Sequence, residues 1–175
     1  MQKKKGRVTM GILGGNPKDE PLHYGEVFDI WTHLITNYGK IAGYQTFYNH
    51  AGDEDLKKLI EDALQQLKHE VGILEKVLKA NGVGLPPSPP ERPIAKSENI
   101  PPGARFYDPE ISAVFSADIA AGLIACSTAM GMCTREDIAM MYGQFHMNKA
   151  QLGAKLLHLN KNKGWLIPPP LHVPL

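Results

Sequence analysis

Cysteine is scarce in this chain of 175 residues, which contains Cys126 and Cys133 and no others. If both lie on one helix, the seven positions between them correspond to about 10.5 Å of rise. An unstrained disulfide requires Cα atoms within about 7 Å, so these two cysteines cannot pair with each other. The pattern suits a reducing compartment, and we expect a cytoplasmic protein whose cysteines serve as packing residues.

The chain also lacks an excess of charge of either sign. Its 19 basic and 18 acidic side chains leave a formal charge of +1, which gives no general attraction to nucleic acid or to an anionic membrane. No apolar run approaches the ~18 residues of a membrane span. The basic opening at residues 1–7 is not followed by the apolar stretch of ~7 residues that a secretion signal needs. We therefore expect residues 1–18 to form a flexible basic arm, with no nucleic-acid or membrane partner.

The motifs that usually identify an enzyme are missing too. The sequence has no Gly-x-Ser-x-Gly elbow and no phosphate-binding glycine loop. Ferritin-like bundles hold two metal ions with a Glu-x-x-His motif on each of two helices, and no Glu-x-x-His occurs in this chain. The standard ligand set for such a centre is therefore absent.

What the chain does contain is helical periodicity. Apolar residues recur at steps of three and four, which predicts helices over about 21–51, 53–81, 109–133 and 135–163. Asp53, Asp108 and Thr134 are candidate N-caps, with Pro109 at a first helical position. Gly82 and Gly164 suit the left-handed turns that end helices. On the first helix the predicted inner stripe is Val27, Trp31, Leu34, Tyr38, Ile41, Gln45 and Tyr48.

Proline interrupts this pattern over residues 83–108, where seven prolines forbid a helix and favour extended geometry. Fully extended, the segment could reach ~80 Å, whereas a helix of about 29 residues, such as the predicted second helix, is only ~43 Å long. It can therefore run the length of the bundle and return the chain to the opposite end. The prediction is an all-α, ferritin-like four-helix bundle over residues 19–175, with two helical hairpins, this crossover and a proline-rich tail at 165–175.

The third helix is apolar on two sides. Five residues lie opposite an inner stripe that includes Phe115, namely Ala113, Ala117, Ala120, Leu123 and Ile124. A helix that is apolar all round must be covered on both sides. Either the crossover and tail cover the second side or another subunit does, and we favour a homodimer through the third helix.

Four polar residues fall on the apolar stripes, namely Tyr38, Glu70, Asp118 and Lys149, and the rise per residue places them in one layer of the bundle. A buried charge without a partner is costly. One interpretation is an ion pair of Lys149 with Asp118 or Glu70, completed by the Tyr38 hydroxyl. The alternative is an iron or manganese site with fewer ligands than the standard set, in which His146 binds the metal beside Glu70 and Asp118. An ammonium group in that layer would repel a cation and argues against the metal.

Another histidine, His33, shares one side of the first helix with Glu26 and Asp29. That side lies away from the predicted stripe. We expect a cluster that faces solvent or another subunit there.

Several sequence stretches carry a family resemblance. They are Gly14–Pro21, Ala42–Gln45, Tyr48–Glu54, Arg135–Ala139 and Lys163–Leu166. With these stretches the chain resembles the ferritin-like bundle proteins of unknown function from endospore-forming bacilli, which are distantly similar to spore coat protein F. The resemblance implies a ferritin-like bundle, a cytoplasmic or spore-associated location and no established enzymatic activity. It supplies no catalytic residues.

Two functional hypotheses follow from the sequence. The first is a non-enzymatic structural or interaction protein, tied to sporulation, with spore coat components as candidate partners. The second is a metal-dependent bundle that uses Glu70, Asp118 and His146.

Overall fold

The computed structural model describes residues 20–172, and within that range the chain is all-helical, with four long helices and no strand. The helices are α1 (Tyr24–His50), α2 (Glu54–Ala80), α3 (Asp108–Met132) and α4 (Glu136–Lys163). Two short 3-10 turns, Ser97–Asn99 and Pro102–Ala104, lie between α2 and α3. The predicted basic arm falls outside the described residues.

The helices form two antiparallel hairpins that pack against each other, α1 against α3 and α2 against α4. At one end the Asp108 carboxylate accepts from the Gly52 amide at 2.8 Å, which joins the start of α3 to the α1–α2 connection. At the same end Lys163 bridges Asp53 and Asp55 at 2.7 and 2.8 Å. These contacts fix the last turn of α4 beside the first turn of α2.

The proline-rich crossover lies along the α1–α2 hairpin. Near the start of α1, the Trp31 indole donates to the Gly84 carbonyl at 3.1 Å. Further along, the Arg92 guanidinium donates to the Ala42 carbonyl at 3.1 Å, and near the far end the Phe106 amide donates to His50. The segment thus spans nearly the whole length of α1, on the side of the bundle away from α3.

The apolar core has two parts separated by a polar layer. One part surrounds Phe115 and Leu156, and the other surrounds Leu34 and Tyr142. Glu70 and Lys149 are buried in the layer between them. The charged pair therefore sits midway along the bundle, with apolar packing above and below.

Two helix starts differ from the sequence prediction because the residues predicted to cap them do not do so. Asp108 is the first residue of α3 rather than its cap, since its side chain accepts from Gly52 on the other hairpin. Thr134 does not cap α4. Instead the Glu26 carboxylate of α1 accepts from the amides of Thr134 and Arg135, at 2.8 and 2.9 Å. Asp53 does cap α2, accepting from the amides of Asp55 and Leu56.

The buried stripe of α1 is rotated from the predicted one. Its buried positions are Glu26, Ile30, Leu34, Asn37, Tyr38 and Tyr44. Trp31 and Gln45, which were predicted to face the core, are half-buried and instead bond to Gly84 and Arg92 of the crossover. Some apolar positions of α1 face the core and others contact the crossover, and the sequence pattern does not distinguish these two sets.

Candidate functional site

The centre of the bundle holds a closed ion pair. The Lys149 ammonium donates to both carboxylate oxygens of Glu70 at 2.6 Å, and the two residues are 7% and 1% exposed. The Asn37 amide donates to the same carboxylate at 3.1 Å. Lys149 also lies 5.6 Å from the centre of the Phe145 ring. The pair is enclosed by its own partners, so neither group is free to act as a base or a nucleophile.

Charge compensation explains how Glu70 stays ionised in this position. Burial alone raises the pKa of a carboxyl group. Here the neighbouring His33 and Lys149 outweigh burial and lower the pKa of Glu70 below its usual value. The layer is therefore a permanent ion pair at neutral pH.

Asp118 forms a second, separate pair. Its carboxylate accepts from Lys40 at 2.9 Å and from the Tyr44 hydroxyl, both on α1. Of the two partners predicted for Lys149, the structure shows Glu70 and not Asp118, because Lys40 reaches Asp118 from α1. Neither Lys40 nor Tyr44 was singled out from the sequence, since Lys40 lies at the edge of the apolar stripe.

Tyr38 does not complete the central pair. Its hydroxyl donates to Glu75 at 2.8 Å, one turn beyond Glu70 on α2. Burial and the Glu75 carboxylate together raise the pKa of Tyr38 to about 12. The prediction that Tyr38 completes the central pair is therefore wrong, because Tyr38 belongs to the core part around Leu34 and Tyr142 and its hydroxyl donates to Glu75.

The predicted metal ligands do not converge. Glu70 and Asp118 each bind their own lysine, and His146 is half-buried on the flank of α4. Across residues 20–172 no group of three or more His, Cys, Asp or Glu side chains is arranged to hold a metal ion. The structure therefore does not bring Glu70, Asp118 and His146 together into one site.

His33 belongs to the central layer, which the sequence analysis missed. Its Nε2 atom lies 3.9 Å from the Glu70 carboxylate, too far for a hydrogen bond. Its ring packs edge-on against Tyr142 with a centroid distance of 5.4 Å. The rotation of α1 noted above turns His33 and Glu26 inward, so the prediction that they face solvent or another subunit is wrong for these two residues. The available signal was spacing, because His33 lies one helical turn before the buried Asn37 and therefore on the same side of α1.

Beside this layer a groove opens between α1 and α3, with a volume of about 420 Å³. We call it the α1–α3 groove. Its α3 wall is built from small residues, Ala121, Gly122, Ala125 and Ala129, whereas its α1 wall is polar. The groove exists because α3 has no side chain large enough to fill it.

A second surface feature lies on the outer side of α3 and continues onto α4. After Glu110, the only Lys, Arg, Asp or Glu in α3 is Asp118, and between Asp137 and Lys155 the only one is the buried Lys149. Ile124 is 68% exposed and Met140 76%. We call this surface the α3–α4 face. Its exposed apolar residues are Ala113, Ala117, Ala120, Ile124, Met140, Met147, Ala150, Ala154 and Leu157.

The exposed side of α2 is entirely different. It carries Glu54, Asp55, Lys58, Glu61, Lys68, Lys76 and Lys79. One side of the bundle thus has the composition of a solvated surface, and the other has the composition of a buried one.

The same apolar character gives α3 a membrane-like composition. The stretch Pro102–Met132 is long and apolar enough to cross a membrane, judged by length and composition alone. Core helices of bundles share that property, and Phe115 and Cys126 of α3 are buried against the other helices. One side of α3 is therefore packed in the bundle, and its opposite side is exposed and apolar.

Comparison with known proteins extends over nearly the whole chain. An "Uncharacterized protein YvdQ" of Bacillus subtilis (strain 168) is 56% identical over 164 residues, covering 94% of this chain and 96% of that one. The solved structure of a "putative spore coat protein" from Bacillus halodurans C-125 has a TM-score of 0.89 and 62% identity, covering 91% of this chain and 100% of that chain.

A more distant structure shares the fold alone. A conserved hypothetical protein from Mycobacterium tuberculosis has a TM-score of 0.63 at 14% identity, covering 78% of this chain and 98% of that chain. The family described as "Protein of unknown function (DUF3231)" matches residues 10–174. The chain belongs to the DUF3231 family.

Proposed function

We propose that this protein is a non-enzymatic structural or interaction protein, a ferritin-like bundle that self-associates through its α3–α4 face and is associated with the spore. The observation that carries the proposal is the exposed, charge-free α3–α4 face. The inert ion pair at the bundle centre supports the non-enzymatic part.

The ferritin-like assignment is supported by the way in which the chain connects its two hairpins. Two antiparallel hairpins are joined by a crossover that runs nearly the length of α1. That connection is the one that distinguishes ferritin-like bundles from simple up-down bundles. In metal-binding relatives of this type the bundle centre holds carboxylates and cations, and here the Lys149 ammonium supplies the positive charge in that place.

Self-association is supported by what the α3–α4 face offers. About 20 residues of α3 give a strip ~30 Å long, and two adjacent helices give it a width of roughly 20 Å. The resulting area of about 600 Å² is close to the ~800 Å² per partner of a standard interface. Because this face has no charged residues, it cannot select a partner by complementary charge. It can pack on a second copy of itself about a two-fold axis.

The crossover does not compete for this face, because its contacts are with α1 and α2. At the start of the C-terminal segment, Trp165 packs against the core part around Phe115. This arrangement favours a second subunit as the cover.

Spore association rests on the relative from Bacillus halodurans, which is 62% identical and described as a "putative spore coat protein". The proposed partners are accordingly other spore coat components. Immunodetection in purified spores of an endospore-forming Bacillus expressing the chain should find it in the spore fraction. Its confinement to the mother-cell lysate would contradict this part of the proposal.

Self-association is tested by placing a charge in the α3–α4 face. Ile124→Lys should convert a dimer into a monomer, because a desolvated lysine in a symmetric interface would meet its own copy across the axis. Gln65→Lys, on the charged side of α2, is the matched control and should leave the dimer intact. Light scattering coupled to size-exclusion chromatography measures both. A wild-type monomer, or a dimer unaffected by Ile124→Lys, would overturn the proposed interface.

A further inference from the structure

Methionine is concentrated around the connection between α3 and α4. The chain has seven methionines, and all those within the described residues 20–172 lie between positions 130 and 147. Met130 and Met141 are half-buried and pack against the core. Met140 and Met147 instead are 76% and 56% exposed. The group therefore divides into methionines that fill the core and methionines that the fold leaves on the surface.

Met140 and Met147 lie on the same side of α4, because seven residues make nearly two full turns of a helix. Both belong to the α3–α4 face, which is the surface that we propose for self-association. This face also carries Ile124, Ala150 and Ala154, whose side chains have no polar group. An unbranched thioether is an adaptable side chain of the kind that is common on binding surfaces. In their reduced form the two methionines therefore suit an apolar interface.

A thioether exposed to solvent has one reaction that the other apolar side chains of this face lack. Hydrogen peroxide transfers an oxygen atom to the methionine sulfur. An S–O bond forms, the O–O bond breaks, and the second peroxide oxygen leaves with both hydrogens as water. The sulfur loses two electrons and the peroxide gains them, so no further reactant is required. The product, methionine sulfoxide, carries a polar oxygen on a side chain that was apolar.

The cysteines do not compete for this oxidant. Peroxide reacts with a thiolate and not with the neutral thiol. Burial, assisted by the nearby Glu26 carboxylate, raises the pKa of Cys133 to about 11, so its thiolate is scarce at neutral pH. Cys126 is fully buried, and burial raises its pKa as well. A thioether needs no deprotonation, so exposure selects the surface methionines as the sites of attack.

We propose that Met140 and Met147 form an oxidation site for peroxides that controls self-association through the α3–α4 face. The inference rests on the proposed self-association and adds the chemistry that reverses it. A sulfoxide oxygen buried in the interface would find no donor among the apolar side chains of the second copy, which disfavours its burial. The two-fold axis of a symmetric dimer would bring both sulfoxides of each copy into the same interface.

Assembly and oxidation exclude each other in this arrangement. In the dimer the second copy covers both sulfur atoms, so peroxide reaches them only while the two chains are apart. Once oxidised, the separate chains stay apart until methionine sulfoxide reductases restore the thioethers. The rate of oxidation should accordingly fall as the protein concentration rises and the dimer forms.

Peroxide treatment of the full-length protein tests the proposal. Dilute protein is treated with hydrogen peroxide, the peroxide is removed with catalase, and the protein is concentrated again. Light scattering coupled to size-exclusion chromatography then measures its mass, and peptide mass spectrometry locates each sulfoxide. Met140 and Met147 should be oxidised several-fold faster than the half-buried Met130 and Met141. Oxidation should weaken the dimer at least about tenfold.

Two variants assign the effect to particular methionines. Met140→Leu/Met147→Leu keeps both positions apolar and similar in volume, so it should form the dimer and retain it after peroxide. Met132→Leu is the matched control, because Met132 is 53% exposed but is not one of the residues of the α3–α4 face. This control should lose the dimer on oxidation as the wild type does. Treatment of the oxidised wild type with methionine sulfoxide reductases should restore the dimer.

The outcomes separate this inference from the proposed dimer. An untreated wild type that is monomeric would overturn the proposed self-association and the oxidation switch with it. An untreated dimer that persists after Met140 and Met147 have become sulfoxides would overturn the switch alone. Dissociation of the peroxide-treated Met140→Leu/Met147→Leu dimer to the same extent as the wild type would place the effect at another residue and would also overturn the switch.

Discussion

At the residue scale, Glu70 and Lys149 depend on each other because each is buried and each supplies the charge that the other requires. Lys149→Met leaves the Glu70 carboxylate buried without its ammonium partner and should reduce the free energy of unfolding by about 3–5 kcal/mol. The double variant Glu70→Leu/Lys149→Met removes both charges and should recover most of that loss. Urea denaturation of the wild type, both single variants and the double variant measures the coupling. Additive losses would contradict a mutually dependent pair.

Gly122 makes room for the same lysine. A Cβ at this position would lie 3.1 Å from both Cδ and Cε of Lys149. Gly122→Ala should therefore destabilise the protein by about 1–3 kcal/mol, because the lysine stem must move off its pairing geometry. Gly39→Ala is the matched control in α1, with no atom within 4 Å of the added carbon, and should stabilise by about 0.5–1 kcal/mol. Thermal and urea denaturation distinguish the two, and equal effects would remove the steric argument.

Sequence reasoning at this scale located the layer but not every pairing. Glu70 and Lys149 were recognisable because charged residues on an apolar stripe must find partners. Asp118 and Tyr38 were assigned wrongly because Lys40 and Glu75, which bind them, lie at the edges of their helices' stripes. Edge residues have long side chains that can reach inward or outward, and periodicity does not distinguish these alternatives.

At the element scale, one carboxylate holds the start of α1 to the connection between α3 and α4. Glu26 is buried and accepts from the amides of His23, Thr134 and Arg135. Burial raises the pKa of Glu26, but the three amide donors outweigh burial and lower the pKa below its usual value. Glu26 therefore links elements that are far apart in sequence.

This linkage gives a pH-dependent prediction. Because the folded-state pKa of Glu26 is lowered, its stabilising contribution is fully present above the unfolded pKa of about 4.3 and is lost as pH falls through the folded value. Glu26→Gln should cost about 1–3 kcal/mol at pH 7, and the difference from the wild type should shrink as pH is lowered toward about 3. Urea denaturation across this range measures it, with exposed Glu98→Gln as a control. A difference independent of pH would contradict the assignment.

The four helices could be predicted because the glycines, the prolines and the spacing of apolar residues all indicate the same elements. The starts of α3 and α4 were harder to predict, because Asp108 and Glu26 each accept a hydrogen bond from an amide of the other hairpin. A local sequence pattern contains no information about a carboxylate that binds amides of the other hairpin.

At the scale of the whole molecule, the side on which the crossover lies decides what remains exposed. The sequence showed that α3 is apolar on two sides and that the crossover was long enough to reach along the bundle. It could not show that the crossover follows α1, because that choice depends on contacts such as those of Trp31 and Arg92, which are far from their partners in sequence. With the crossover on α1, the outer side of α3 stays exposed within one chain, and we propose that a second copy covers it.

The most direct test of that conclusion is the mass of the full-length protein in solution, measured by sedimentation equilibrium over a range around ~10 µM, where protomer concentration governs assembly. Burial of the α3–α4 face against a second copy predicts a species of twice 19.3 kDa that dissociates only on dilution. A mass of 19.3 kDa at every concentration would contradict it.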